Sequence, residues 1–134
     1  MVLGKDEMMG LLLDACPSFT PQWQAFLDEW QDNTDDLPLY LALTDFARHL
    51  VGMLDRDETA NFPAVFAVVE RLHLEGDSYV RTAATVGLLE DLQNRHFHIR
   101  TQPDQFRPFL GAATAKWWDK LYRFWDHGEV LTED

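Results

Sequence analysis

The chain has 134 residues, the length of one ordinary domain, and its 46% hydrophobic and 13% aromatic content excludes a disordered tail and requires a buried core. Its 23 acids against 11 Lys plus Arg give a formal net charge of −12, a field that repels phosphate backbones and anionic lipid. Nucleic acid and membrane are therefore poor partners, and a basic protein is the favoured one, although acidity also serves plain solubility.

The first predicted element is "KDEMMGLLLDAC", a helix stopped by Pro17. Leu13-Asp14-Ala15-Cys16 loosely resembles a lipoprotein processing site, but Asp6, Glu7 and Asp14 are the wrong flanks for a secretion signal. Cys16 is the one cysteine, so no disulfide forms within the chain, and no run reaches the roughly 18 apolar residues of a membrane span. A cytoplasmic protein is the expectation.

Proline opens the next three helices, where its missing N–H costs nothing and its fixed φ suits a first turn. Thr20 is placed to cap "PQWQAFLDEW", with Trp23, Phe26, Leu27 and Trp30 on one stripe. In "PLYLALTDFARHLVGMLD", Leu39, Leu43, Phe46, Leu50 and Met53 line one face and Asp45, Arg48 and Gly52 mark the other. "PAVFAVVERLHLEG" then runs to Gly76, which ends it, and Asp77 can cap the following helix at once.

That following stretch, "GDSYVRTAATVGLLEDLQN", is apolar or small around most of its circumference, with Ala83, Ala84 and Gly87 allowing close backbone approach. The polar strip passes through Ser78, Arg81, Thr82 and Thr85, while Val80, Ala84, Gly87 and Asp91 fall along one face and Ala83, Val86 and Glu90 along an adjacent one. Asp77, Val80, Arg81 and Ala84 stand as D-x-x-V-R-x-x-A, which resembles the inner helix of a HEAT-type repeat. The resemblance implies a cap at Asp77 and polar ties at Arg81, and it says nothing of catalysis.

"RHFHIRTQPDQFRPFLG" lacks a sustained period and reads as a loop carrying one short turn, with Phe97 and Ile99 docked on the core. The last helix, "ATAKWWDKLYRFWDHG", places Trp118, Leu121, Tyr122 and Trp125 on its buried stripe and ends at Gly128. No period-two run survives, so the fold class is all-α: a compact bundle of about six helices with one HEAT-like antiparallel hairpin. Residues 1–128 form a single domain, and 129–134 an acidic tail.

Taken from about Leu11 to Trp125, the pattern "LPLYLALTDFARHLVGMLD", "FPAVFAVVERLHLEGD" and "WWDKLYRFW" resembles an uncharacterised family of small acidic helical bacterial proteins. Proteins of this sort are associated with polymorphic toxin genes, so the resemblance implies an immunity protein whose partner is a cognate toxin.

For such a partner the acid-rich links "LDEWQDNTDD" and "LDRDETAN" supply the contacts Asp28, Glu29, Asp32, Asp35, Asp36, Asp55, Asp57 and Glu58, on one rim if the two links lie together. Trp117, if exposed, adds an aromatic anchor. Polar loops are also wet for ordinary reasons. Glu90 and Asp91 are consecutive, about 100° apart on a helix, and so do not pair as i, i+4 metal ligands would. The enzyme or metal-site alternative uses Asp91, His96 and His98, but H-x-H without a third ligand is a weak signal and Arg95 and Arg100 repel a cation. A helical scaffold or oligomer is the other alternative. No cofactor motif, G-x-S-x-G or phosphate loop occurs, Cys16 has no activating base beside it, and His49 and His73 read as histidines at the edge of the core.

Overall fold

A computed structural model describes residues 2–32 and 37–128, without the side chains of Asp126 and His127. Over these residues the fold is all-α. The helices are α1 (Lys5–Ala15), α2 (Thr20–Glu29), α3 (Leu39–Asp55), α4 (Phe62–Glu75), α5 (Ser78–Thr82), a π-helical stretch (Ala83–Leu89), α6 (Glu90–Leu92) and α7 (Ala112–His127). The 3₁₀ turns Pro17–Phe19, Arg95–Phe97 and Pro103–Phe109 fill joints between helices, the last two in the segment expected to hold one. The tail at 129–134 lies outside the described residues.

α3 is the central strut. Every residue of its predicted stripe is buried, from Leu39 through Met53, because the apolar spacing follows the helical period. Its long contact with the π-helical stretch is close: a Cβ on Gly87 would stand 3.0 Å from Leu43 Cδ1. α3 ends in a left-handed residue, Asp57 (φ 58), with the Glu58 amide donating to the Met53 carbonyl (2.8 Å) and the Asp57 amide to the Leu54 carbonyl (3.0 Å). This is the Schellman arrangement with Asp where Gly is commonest.

α2 begins differently from expectation. The Pro17–Phe19 turn runs straight into it, so Thr20 already has helical angles (φ −53, ψ −44) and makes no side-chain cap. The link from α4 to α5 is as predicted: Asp77 Oδ1 accepts from the Val80 amide (2.9 Å). Leu3 straps that link, its amide donating to the Glu75 carbonyl and its carbonyl accepting from the Asp77 amide. A Cβ on Gly76 would lie 2.3 Å from the Leu72 carbonyl oxygen, so this joint admits no larger residue without moving backbone.

The π-helical stretch changes which residues face inward. Its hydrogen bonds reach one residue further than α-helical ones, as where the Glu90 amide donates to the Thr85 carbonyl. Two positions differ from expectation: Thr85, expected on the polar strip, is buried, and Val86, expected on an apolar face, is exposed. Thr85 is accommodated because its hydroxyl donates to His73 Nε2 (3.0 Å), while His73 Nδ1 faces the Val69 carbonyl (3.0 Å) and Thr114 Oγ1 (3.1 Å). A carbonyl can only accept, so Nδ1 carries a proton, and in the neutral ring Nε2 is left to accept from Thr85. Burial drives the His73 pKa down to about 4, against the smaller upward pull of the Val69 bond and the Glu70 charge.

α7 has Gly111 at its N-cap and no cap of its own. Glu70 of α4 serves instead: its carboxylate accepts from the amides of Ala113 (3.0 Å) and Thr114 (2.8 Å) and from the Thr114 hydroxyl (2.8 Å). Burial raises the Glu70 pKa, but these bonds and the neighbouring His73 outweigh it, and the net shift is downward. A Cβ at Gly111 would come within 2.4 Å of Glu70 Cδ, so the glycine is what admits the carboxylate. Further along, Phe62, Phe66, Phe106 and Trp118 pack at centroid separations of 5.6–6.5 Å and bind α7 to α4 and the 103–109 turn.

Candidate functional site

The end of α6, the 95–97 turn and the far half of α7 enclose a surface cleft of about 540 Å³. Glu90 and Asp91 both line it, so consecutive acids that the helical angle sets apart nonetheless share one concavity, because α7 and the turn close around both. Thr44 Oγ1 of α3 donates to Asp91 Oδ2 at 2.7 Å and fixes that carboxylate. No described residue makes a hydrogen bond or ion pair with the Glu90 carboxyl. Burial raises the Glu90 pKa, with the adjacent Asp91 adding to it.

Aromatic rings form the opposite wall. Tyr122 donates its hydroxyl to Asp104 Oδ1 (2.9 Å), and Arg107 bridges Asp104 and Asp119 beside it, so the ring is held to the 103–109 turn. Burial first, then the Asp104 bond, lifts the Tyr122 pKa to about 12, and the phenol stays protonated. Trp125 stands at the rim, 55% exposed, with Phe124 edge-on to it at 5.1 Å. Gln93, 8% exposed, lies at the floor; its Nε2 donates to the Trp118 carbonyl (2.9 Å), and its Oε1 has no partner among the described residues. Asn94, Arg95 and His96 complete the lining.

The acidic links are arranged otherwise than expected. One enters the N-terminus of α3 and the other leaves its C-terminus, and a helix of 17 residues is about 25 Å long, so the described acids of the two links flank opposite ends of one strut. Asp28, Glu29 and Asp32 are exposed, and Asp35 and Asp36 lie outside the described residues. Asp55 is turned inward: it accepts from the Ile99 and Arg100 amides (3.1 and 3.0 Å) and from the Thr101 hydroxyl (2.6 Å). Burial raises its pKa, but those three bonds and the His98 charge outweigh it and hold it low. Asp57 terminates α3, and Glu58 pairs with Arg56 (2.8 Å). Trp117 is half-buried beneath Lys120, whose Nζ sits 4.5 Å from the ring, so the exposed tryptophan of α7 is Trp125.

His98 does not join Asp91 and His96 as a ligand. Its Nε2 donates to the Leu92 carbonyl (3.0 Å) and its Nδ1 lies 2.8 Å from Thr101 Oγ1, so both nitrogens are in use holding the loop. Among the described residues no three His, Cys, Asp or Glu side chains are grouped to hold an ion. Phe97 packs on the core beneath Arg48, but Ile99 is 87% exposed, because the Asp55 bonds fix the loop through its backbone. Cys16 is buried against Met53.

One polar cluster had no sequence signal: Ser18 Oγ lies 2.8 Å from His49 Nε2, and the Gln22 amide lies 3.1 Å from Nδ1. With Gln22 Nε2 donating to Nδ1, the proton sits on Nε2 and Ser18 accepts it, the reverse of what activates a nucleophile. The three residues are 27 and 31 positions apart in pairs, which no motif encodes.

No described helix is long and apolar enough to cross a membrane. A family described as a domain of unknown function, DUF7674, matches residues 9–126. No curated protein and no solved structure matches the chain.

Proposed function

The chain belongs to the DUF7674 family, and from that footing we propose that it is a non-enzymatic protein-binding module with a basic partner. The fuller form of the proposal is an immunity protein, acting in the bacterial cytoplasm, that neutralises a basic toxin by covering it. The observation that carries the reading is the cleft, which Glu90 and Asp91 line together with Tyr122 and Trp125, on a protein of net charge −12. The buried polar groups around Glu70, His73 and Asp55 are consumed in holding helices and loops, which leaves the acidic exterior for recognition. Asp28, Glu29 and Asp32 extend that exterior on another side.

Co-expression with the product of the adjacent gene tests the proposal. A stable complex that dissociates as salt is raised supports it. A neighbour that neither binds nor inhibits growth removes it.

The exposed, touching rings of Phe124 and Trp125 favour a second reading, self-association through the end of α7. Light scattering across a concentration series decides this: a mass that stays at 15.6 kDa excludes it.

A further inference from the structure

We infer that the cleft between α6 and α7 is a receptor for one arginine side chain of the protein partner, its guanidinium meeting Glu90 and Asp91 and its plane lying on Trp125. The inference rests on the protein-binding reading above and says which chemistry the partner presents.

Three observations converge on it. Two carboxylates stand side by side, one held by Thr44 through Oδ2 with Oδ1 left over, the other without a hydrogen bond or ion pair among the described residues. The buried Gln93 at the floor carries an acceptor, Oε1, with no donor. Both kinds of group call for N–H donors, and unpaired buried acceptors are costly enough to be uncommon in native proteins. Trp125, lining the same cleft as the acids, supplies a flat face, and an indole is the best of the aromatic surfaces for a cation.

Arginine fits this better than lysine. Its guanidinium spreads five N–H donors in a plane, enough for several acceptors at once, and that same plane stacks on a ring, whereas an ammonium is a compact, strongly hydrated charge. Arg95 also lines the cleft, yet it forms no salt bridge with a described residue, and two carboxylates outweigh one guanidinium. The volume, about 540 Å³, is within the range of pockets for small groups.

The probe is Nα-acetyl-arginine methylamide, added to the isotope-labelled full chain and followed by NMR. Saturable millimolar binding is expected, with shifts at the Trp125 indole N–H, the Gln93 amide and the backbone of Asn94 and His96. The citrulline analogue, of the same shape and without charge, should bind at least tenfold more weakly to the same wild-type protein, a comparison that needs no variant to fold. In E90Q/D91N the arginine shifts should fall at least tenfold while the rest of the spectrum is unchanged. Absence of saturable shifts, equal binding of citrulline, or shifts that survive in E90Q/D91N would overturn the assignment. If the probe fails while the co-expressed partner still binds in a salt-sensitive way, the cleft is wrong and the protein-binding reading stands. If the probe binds as described and no protein partner is captured, that reading falls and the arginine site remains.

Discussion

Glu70 shows how one side chain can stand in for a missing cap. It reaches from α4 to the first turn of α7 and takes three hydrogen bonds, two from amides with no partner inside their own helix. Glu70→Gln keeps the size but turns an amide N–H toward a backbone N–H, and should cost about 1–3 kcal/mol, read as a lower midpoint in urea. Nothing in the sequence pointed to this contact, since the partners are 43 and 44 residues apart. Asp55 was misread for the same reason. An acid in a polar link looks like surface, and only the fold reveals that it holds the loop at 99–101.

His73 makes a second prediction at this scale. Its pKa is lowered from 6.5 in the unfolded chain to about 4 in the fold, so the unfolded state binds more protons between those values. The stability it contributes is therefore complete above pH 6.5 and is lost as pH falls toward 4, by about 3 kcal/mol for a shift of this size. Urea midpoints measured from pH 7 to pH 4 should decline over that window, and the His73 ring followed by NMR should remain neutral at pH 5. A ring that titrates near 6.5 in the folded protein contradicts the buried, neutral assignment.

Among the elements, the amphipathic helices were the most legible. α3 follows its stripe throughout, and Asp77 caps the helix after Gly76 as its position and residue type predict, because caps and apolar periods are local signals. The π-helical stretch was not legible. No residue type announces an extra residue in a turn, and "AATVGLL" reads equally well as an ordinary helix. Its register gives a direct test. Thr85→Val keeps the shape but leaves His73 Nε2 buried without a donor, and should destabilise by about 1–3 kcal/mol. Val86→Thr, on the exposed side, should change stability by less than about 0.5 kcal/mol. An uninterrupted α-helix would reverse the two effects in chemical denaturation.

Ile99 and Trp117 mark a second limit of sequence reading at this level. An isoleucine in a loop was assigned to the core, yet it is exposed, since apolar residues also contribute much of any protein surface. Of the three tryptophans of α7, Trp117 is half-buried and Trp118 is in the core with Leu121, while Trp125, one turn beyond Leu121, runs past the end of the core and becomes the rim of the cleft. The cleft itself needed three segments to meet, α6, the 95–97 turn and α7, and helical angle alone had placed its two acids on separate faces.

At the scale of the molecule, charge and composition were read directly and the all-α class followed from them with the apolar spacing. The described acids of the two links bracket α3, with Glu90 and Asp91 in the cleft as a third group, so the proposed basic partner would meet a broadly negative surface with one concave, aromatic-edged point of entry. Such a surface acts first on the rate of encounter, because long-range attraction steers association and the Debye length contracts from about 10 Å at 0.1 M salt to about 3 Å at 1 M.

The association rate with the co-purified partner, measured across that range of salt, therefore tests the central claim most directly. The account predicts a steep fall in the rate for the wild type and a shallower one for E90Q/D91N. A rate indifferent to salt, equal in both proteins, would mean that the acidic exterior is not what the partner recognises.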